Sequence, residues 1–113
     1  MKKSIIGFLL YLIVSQSYSQ VKSGYDISVT ISGLRDSSIF LAYHFGDKQY
    51  LKDTVQLDKK GFGVFHGSES LPQGIYMIVL PGRNYFEILI SDDQQFSVSC
   101  SYNDYSNTLE FKG

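Results

Sequence analysis

The stretch "DTVQLDKKGFGVFHG", Asp53 to Gly67, decides the fold. Val55 and Leu57 alternate with polar residues, as on a half-buried strand. Asp58-Lys59-Lys60-Gly61 then has the form of a type I turn closed by a residue at positive φ, a conformation glycine adopts without a Cβ clash. Asp58 is placed to accept backbone amides within that turn. Apolar residues resume at Val64 and Phe65. The stretch reads as a β-hairpin, with Gly63 and Gly67 marking bends or bulges. Asp53 is the residue that turn chemistry leaves unexplained, because Asp is disfavoured inside a strand. It is the one candidate contact residue in the chain. The competing reading is a carboxylate bonded to a neighbouring loop, with Thr54 helping to satisfy it.

The same period of two runs outward from this segment. "YDISVTI" (Tyr25 to Ile31) alternates, and "SIFLAYHF" (Ser38 to Phe45) is apolar on both faces. "YLKDTVQL" and "FGVFHG" flank the turn. "IYMIVLP" (Ile75 to Pro81) and "YFEILIS" (Tyr85 to Ser91) flank "GRN", and both read as central strands. "QFSVSCSY" sets Phe96, Val98, Cys100 and Tyr102 against serines, and "TLEFK" is a final short strand. No window carries a helical stripe of useful length. The expected class is all-β, an antiparallel β-sandwich of about 7–8 short strands.

The start of the chain is of a different kind. Lys2 and Lys3 precede the apolar run Ile5 to Val14, and Ser17 and Ser19 occupy the −3 and −1 positions of a cut before Gln20. This is the pattern of a secretory signal peptide. The run is too short to span a bilayer, so no membrane span is expected after cleavage. The expected division is a signal peptide at 1–19, a leader at 20–23 and a β-sandwich domain at 24–113. The expected compartment is the periplasm.

Composition removes several functions. Without Lys2 and Lys3, 8 basic side chains face 11 acidic ones. There is no basic stripe, so nucleic acid is not an expected partner. Cys100 is the single cysteine, which precludes an internal disulfide and a Cys-x-x-Cys redox centre. It shares a face with Phe96 and Val98 and reads as a buried thiol. His44 and His66 lack metal-ligand spacing. Asp92-Asp93 reads as a hairpin turn, short of the oxygen ligands that calcium needs. There is no Gly-x-Ser-x-Gly elbow. No catalytic residue, cofactor or metal is expected, and the domain is not read as an enzyme. The tyrosines Tyr25, Tyr43, Tyr50, Tyr76, Tyr85, Tyr102 and Tyr105 fill a core or, alternatively, form a sugar-stacking platform.

Several segments in order carry a family likeness: "YDISVTISGL", "IFLAYHFGDKQYLKDTVQLDKKGFGVFHG", "LPQGIYMIVLP" and "YFEILISDDQQFSV". Together they resemble the β-rich domain of unknown function that precedes the thioredoxin-like domain in exported thiol–disulfide interchange proteins of Gram-negative bacteria. "LEFKG" resembles the exit from that domain. The resemblance implies a non-catalytic accessory or docking domain, here without its redox domain, as a truncated product or split gene. The implied partner is a thioredoxin-like domain or another envelope protein. The family's domain has no site residues to carry over. The alternative is a stand-alone envelope ligand- or glycan-binding sandwich.

Overall fold

The computed structural model describes residues 24–113. The signal peptide and leader expected at 1–23 lie outside these residues. Eight strands form: β1 (Tyr25–Ser32), β2 (Ser38–Phe45), β3 (Lys48–Gln56), β4 (Phe62–Gly67), β5 (Gly74–Val79), β6 (Tyr85–Ile90), β7 (Gln95–Ser101) and β8 (Glu110–Lys112). A single helical turn, α1 (Tyr105–Thr108), follows a 3-10 turn after β7. No helix of the described residues is long and apolar enough to cross a membrane.

The strands make two four-stranded sheets. Sheet I has the order β4-β1-β7-β8, and sheet II the order β3-β2-β5-β6. The core lies between them. Ile27, Val29, Ile31, Phe65 and Val98 point inward from sheet I, and Ile39, Leu41, Ile78, Ile88 and Ile90 from sheet II. Each such side chain is stabilised by about 1.5–3 kcal/mol on leaving water. The all-β two-sheet reading of the sequence therefore holds.

Several features depart from the expected arrangement. First, β1 and β7 pair in parallel, and the other five pairings are antiparallel. Second, β6 is an edge strand, although "YFEILIS" reads as central. Third, the opening stretch is a turn but not a hairpin, because β3 belongs to sheet II and β4 to sheet I. The turn itself forms as read: Gly61 N–H donates to Asp58 O, and the Asp58 carboxylate accepts from the amides of Lys60 and Phe62. Those two amides hold the Asp58 carboxyl below its usual pKa. The strands diverge because Leu57 and Phe65 must both reach the core between the sheets. Asp92-Asp93 likewise connects strands of different sheets and is no hairpin. Gly63 and Gly67 are regular ladder positions opposite Val29 and Tyr25, not bulges. Gly67 leaves room for the Tyr25 ring, which a Cβ there would strike.

The corner at Asp58–Gly61 packs against the β1–β2 connection. Ile31 N–H donates to Gly61 O, Leu57 N–H to Ser37 O and Asp36 N–H to Asp58 O. At the other end of the sandwich the buried Gln94 does the equivalent work. Its amide accepts from Leu71 N–H and donates to the carbonyls of Leu71 and Ser91.

Gly61 has φ +78, and a Cβ there would collide with the carbonyls of Ile31 and Leu34. Gly46, at the β2–β3 tip, has φ +66 and open space around it. Gly61→Ala should therefore cost more than about 2 kcal/mol in urea unfolding, and Gly46→Ala only about 1 kcal/mol. Equal costs would show that the corner does not depend on close packing.

Candidate functional site

Asp53, the sequence-derived candidate, is a clasp between the sheets. The Tyr25 hydroxyl on β1 donates to Asp53 Oδ2 at 2.8 Å, and Thr54 N–H donates to Oδ1 at 2.8 Å. A bulge in β3 explains its place in a strand. Leu41 faces Asp53 and Ala42 faces Leu51, so Lys52 is the unpaired extra residue. Asp53 shares the inward side of Val55, opposite buried Leu41, and the bulge after it places Leu51 opposite Ala42 on the outward side. Burial, then the hydrogen bond and charge of Asp53, push the Tyr25 hydroxyl from 10.0 up to about 12.

The two histidines are not brought together. His66 lies on sheet I beside Asp26, 3.8 Å away in an exposed pair of little energetic weight. His44 lies on sheet II. Among the described residues no three His, Cys, Asp or Glu side chains converge on a metal position. Cys100 is buried, and burial raises its thiol pKa, which disfavours the reactive thiolate.

The tyrosines divide. Strand register sets Tyr50, Tyr43 and Tyr76 in one row across β3, β2 and β5. Tyr43 stacks on Tyr50 at 5.6 Å between centroids and lies 5.8 Å from Tyr76. Phe45 adds an edge contact to Tyr50. Tyr76 is anchored through its hydroxyl to Pro72 O at 2.7 Å, and burial raises its pKa. Beside this row lies a groove of about 440 Å³, lined by Tyr43, Phe45, Lys52, Gln73, Ile75 and Tyr76 among others. Tyr25 serves the Asp53 clasp instead, and Tyr105 packs near Phe86.

Ile75, which also lines the groove, belongs to the outer face of sheet II. The sequence did not single this face out. One row across it is Leu51, Ala42, Met77 and Glu87, and another is Phe40, Val79 and Tyr85. Ile75 pairs with Leu89 on the same face. Met77 and Ala42 are buried yet lie outside the core cluster, shielded by their neighbours on this outer surface. Those neighbours remain open: Leu51 is 63%, Ile75 53%, Leu89 67% and Tyr85 50% exposed. The outer face of sheet I is more polar across β1 and β7, with Phe62 and Val64 on its β4 edge. Its β1 and β7 residues include Ser28 opposite Ser97 and Thr30 opposite Ser99. The signal for the apolar face was the two-sided apolar pattern of "SIFLAYHF" and "IYMIVLP", which also fits strands buried on both faces.

No protein-family model matches the chain, and no curated protein or solved structure matches it significantly.

Two tests follow from this geometry. Tyr25 has a raised folded-state pKa, so its contribution to stability is complete below pH 10 and is lost as pH rises through about 12. The urea midpoint of the wild type should fall more steeply over that window than that of Tyr25→Phe. Parallel slopes would remove the clasp. Cys100 should react with a thiol reagent only as fast as the domain unfolds, so rapid labelling of the native protein would contradict its burial.

Proposed function

We propose that residues 24–113 form a non-catalytic docking domain of an exported, periplasmic protein, and that the partner is a thioredoxin-like thiol–disulfide interchange domain. The observation that supports docking is the apolar outer face of sheet II. Contiguous exposed apolar surface on a soluble domain marks an interaction site. Here Leu51, Ile75 and Leu89 surround a shielded centre at Ala42 and Met77. That is the arrangement of an interface core ready to exclude water. The choice of partner rests on the family resemblance of the sequence.

Binding of the host's exported thioredoxin-like domains, followed by calorimetry, tests this reading. Replacing Leu51, Ile75 and Leu89 together by Gln should weaken binding at least about tenfold, since each anchor is worth more than about 1 kcal/mol. These side chains point away from the core, so the unfolding midpoint should change little. The proposal fails if no such domain binds, or if the triple variant binds equally well.

The Tyr43–Tyr50–Tyr76 row favours a second reading, an envelope glycan site, because Tyr43 and Tyr76 line the groove together with Lys52 and Gln73, and Tyr50 stacks on Tyr43. Saturating cell-wall fragments should then raise Tm, and Tyr50→Ala should abolish the rise. Docking through the outer face would be untouched by that substitution.

A further inference from the structure

The tyrosine groove has a charge character that its rings do not set. The chain after Lys3 is net acidic. Yet of the side chains that line the groove, Lys52 and His44 can carry positive charge and none is a carboxylate. His44 lies on the outward side of β2, with Ala42. Lys52 is therefore the standing charge of the groove. It is the unpaired extra residue of the β3 bulge, between outward Leu51 and inward Asp53. Bulges recur where a strand must aim a side chain at a site. This one leaves Lys52 in the groove lining and Asp53 against Tyr25.

The two carboxylates that adjoin the groove are engaged elsewhere. Asp53 accepts from the Tyr25 hydroxyl and from Thr54 N–H. Asp92 accepts from the side chain of Gln73 at 2.6 Å. Among the described residues Lys52 forms no salt bridge. Gln73 gives an N–H to Asp92, and its amide oxygen remains to accept from a hydroxyl in the groove.

We propose that the ligand of this groove is an acidic saccharide of the cell wall, its carboxylate paired with Lys52 and its ring laid on the tyrosine row. The proposal rests on the glycan reading of the groove and names the class of sugar. One ammonium matches the single charge of one carboxylate. A phosphate monoester brings a charge of about −1.5 to −2 and suits the planar fork of an arginine, and no arginine lines the groove. A neutral saccharide would desolvate the ammonium without returning a partner. Lys52 is thus the residue that separates acidic from neutral sugars.

Calorimetry with one disaccharide in two forms tests this. The probe is N-acetylglucosaminyl-N-acetylmuramic acid, with its carboxylate free or as the methyl ester, which removes the charge and keeps the rings. The free acid should bind about fivefold to tenfold tighter, as a charge-assisted hydrogen bond provides. Added salt should narrow the difference. Lys52→Gln should abolish the preference and leave binding of the ester unchanged, and Lys52→Arg should keep it. Lys48→Gln removes a charge from the same hairpin outside the lining and should also keep it. Urea unfolding checks that each variant remains folded. If both forms bind equally, or if Lys52→Gln retains the preference or Lys48→Gln loses it, the glycan reading stands and the role of Lys52 is overturned. If neither form binds, both fall.

Discussion

A two-sheet fold must carry its chain across the gap between sheets, and each crossing takes backbone groups out of the strand ladders. Those groups need partners when they are buried. In this chain the crossings satisfy one another in pairs. The β1–β2 and β3–β4 connections exchange backbone hydrogen bonds through Ile31, Ser37, Leu57 and Gly61. The β4–β5 and β6–β7 connections are joined by the side chain of Gln94, which is as good a partner as backbone to Leu71. Each end of the sandwich is thereby closed by its own clasp. From the Gln94 end, Tyr25 and Asp53 add a link from sheet I to sheet II.

This construction leaves the two outer faces free to differ. The core needs only the inward half of each strand, so the outward half carries no folding demand beyond solubility. Sheet I spends it mainly on serines and threonines across β1 and β7, with Phe62 and Val64 on β4, and sheet II on leucine, isoleucine, methionine and tyrosine. The apolar choice costs solubility, a cost that the docking proposed above would offset. The Tyr43–Tyr50–Tyr76 row sits at the end of sheet II closed by Gln94, where Pro72 holds Tyr76 in place.

Much of this was legible in the residues. Alternation, two-sided apolar runs and turn residues together marked the strand segments, and the Asp58–Gly61 turn formed with the expected glycine and the expected carboxylate bonds. Pairing partners were not legible. Nothing local in "LDKKGF" tells whether the strands around it stay together, since that depends on where Leu57 and Phe65 find a core. The central reading of β6 failed for a related reason: an apolar strand with one free edge has the same composition as one paired on both sides. Asp53 was found by its oddity in a strand, but its Tyr25 partner is 28 residues away. Gln94 gave no signal at all, because a glutamine in "SDDQQF" looks like any turn residue until its amide is seen facing Leu71. The apolar outer face was hidden in strands whose two-sided pattern equally suits full burial.

Native-state hydrogen exchange tests the paired clasps most directly. The Ile31 and Leu57 amides report on one end and the Leu71 amide on the other. If the clasps hold the sandwich together, all three exchange only through global unfolding, with the same free energy as core amides such as Val29 and Ile78. If Leu71 or Leu57 exchanges by local opening while Val29 stays protected, the crossings are appendages of a core that holds without them.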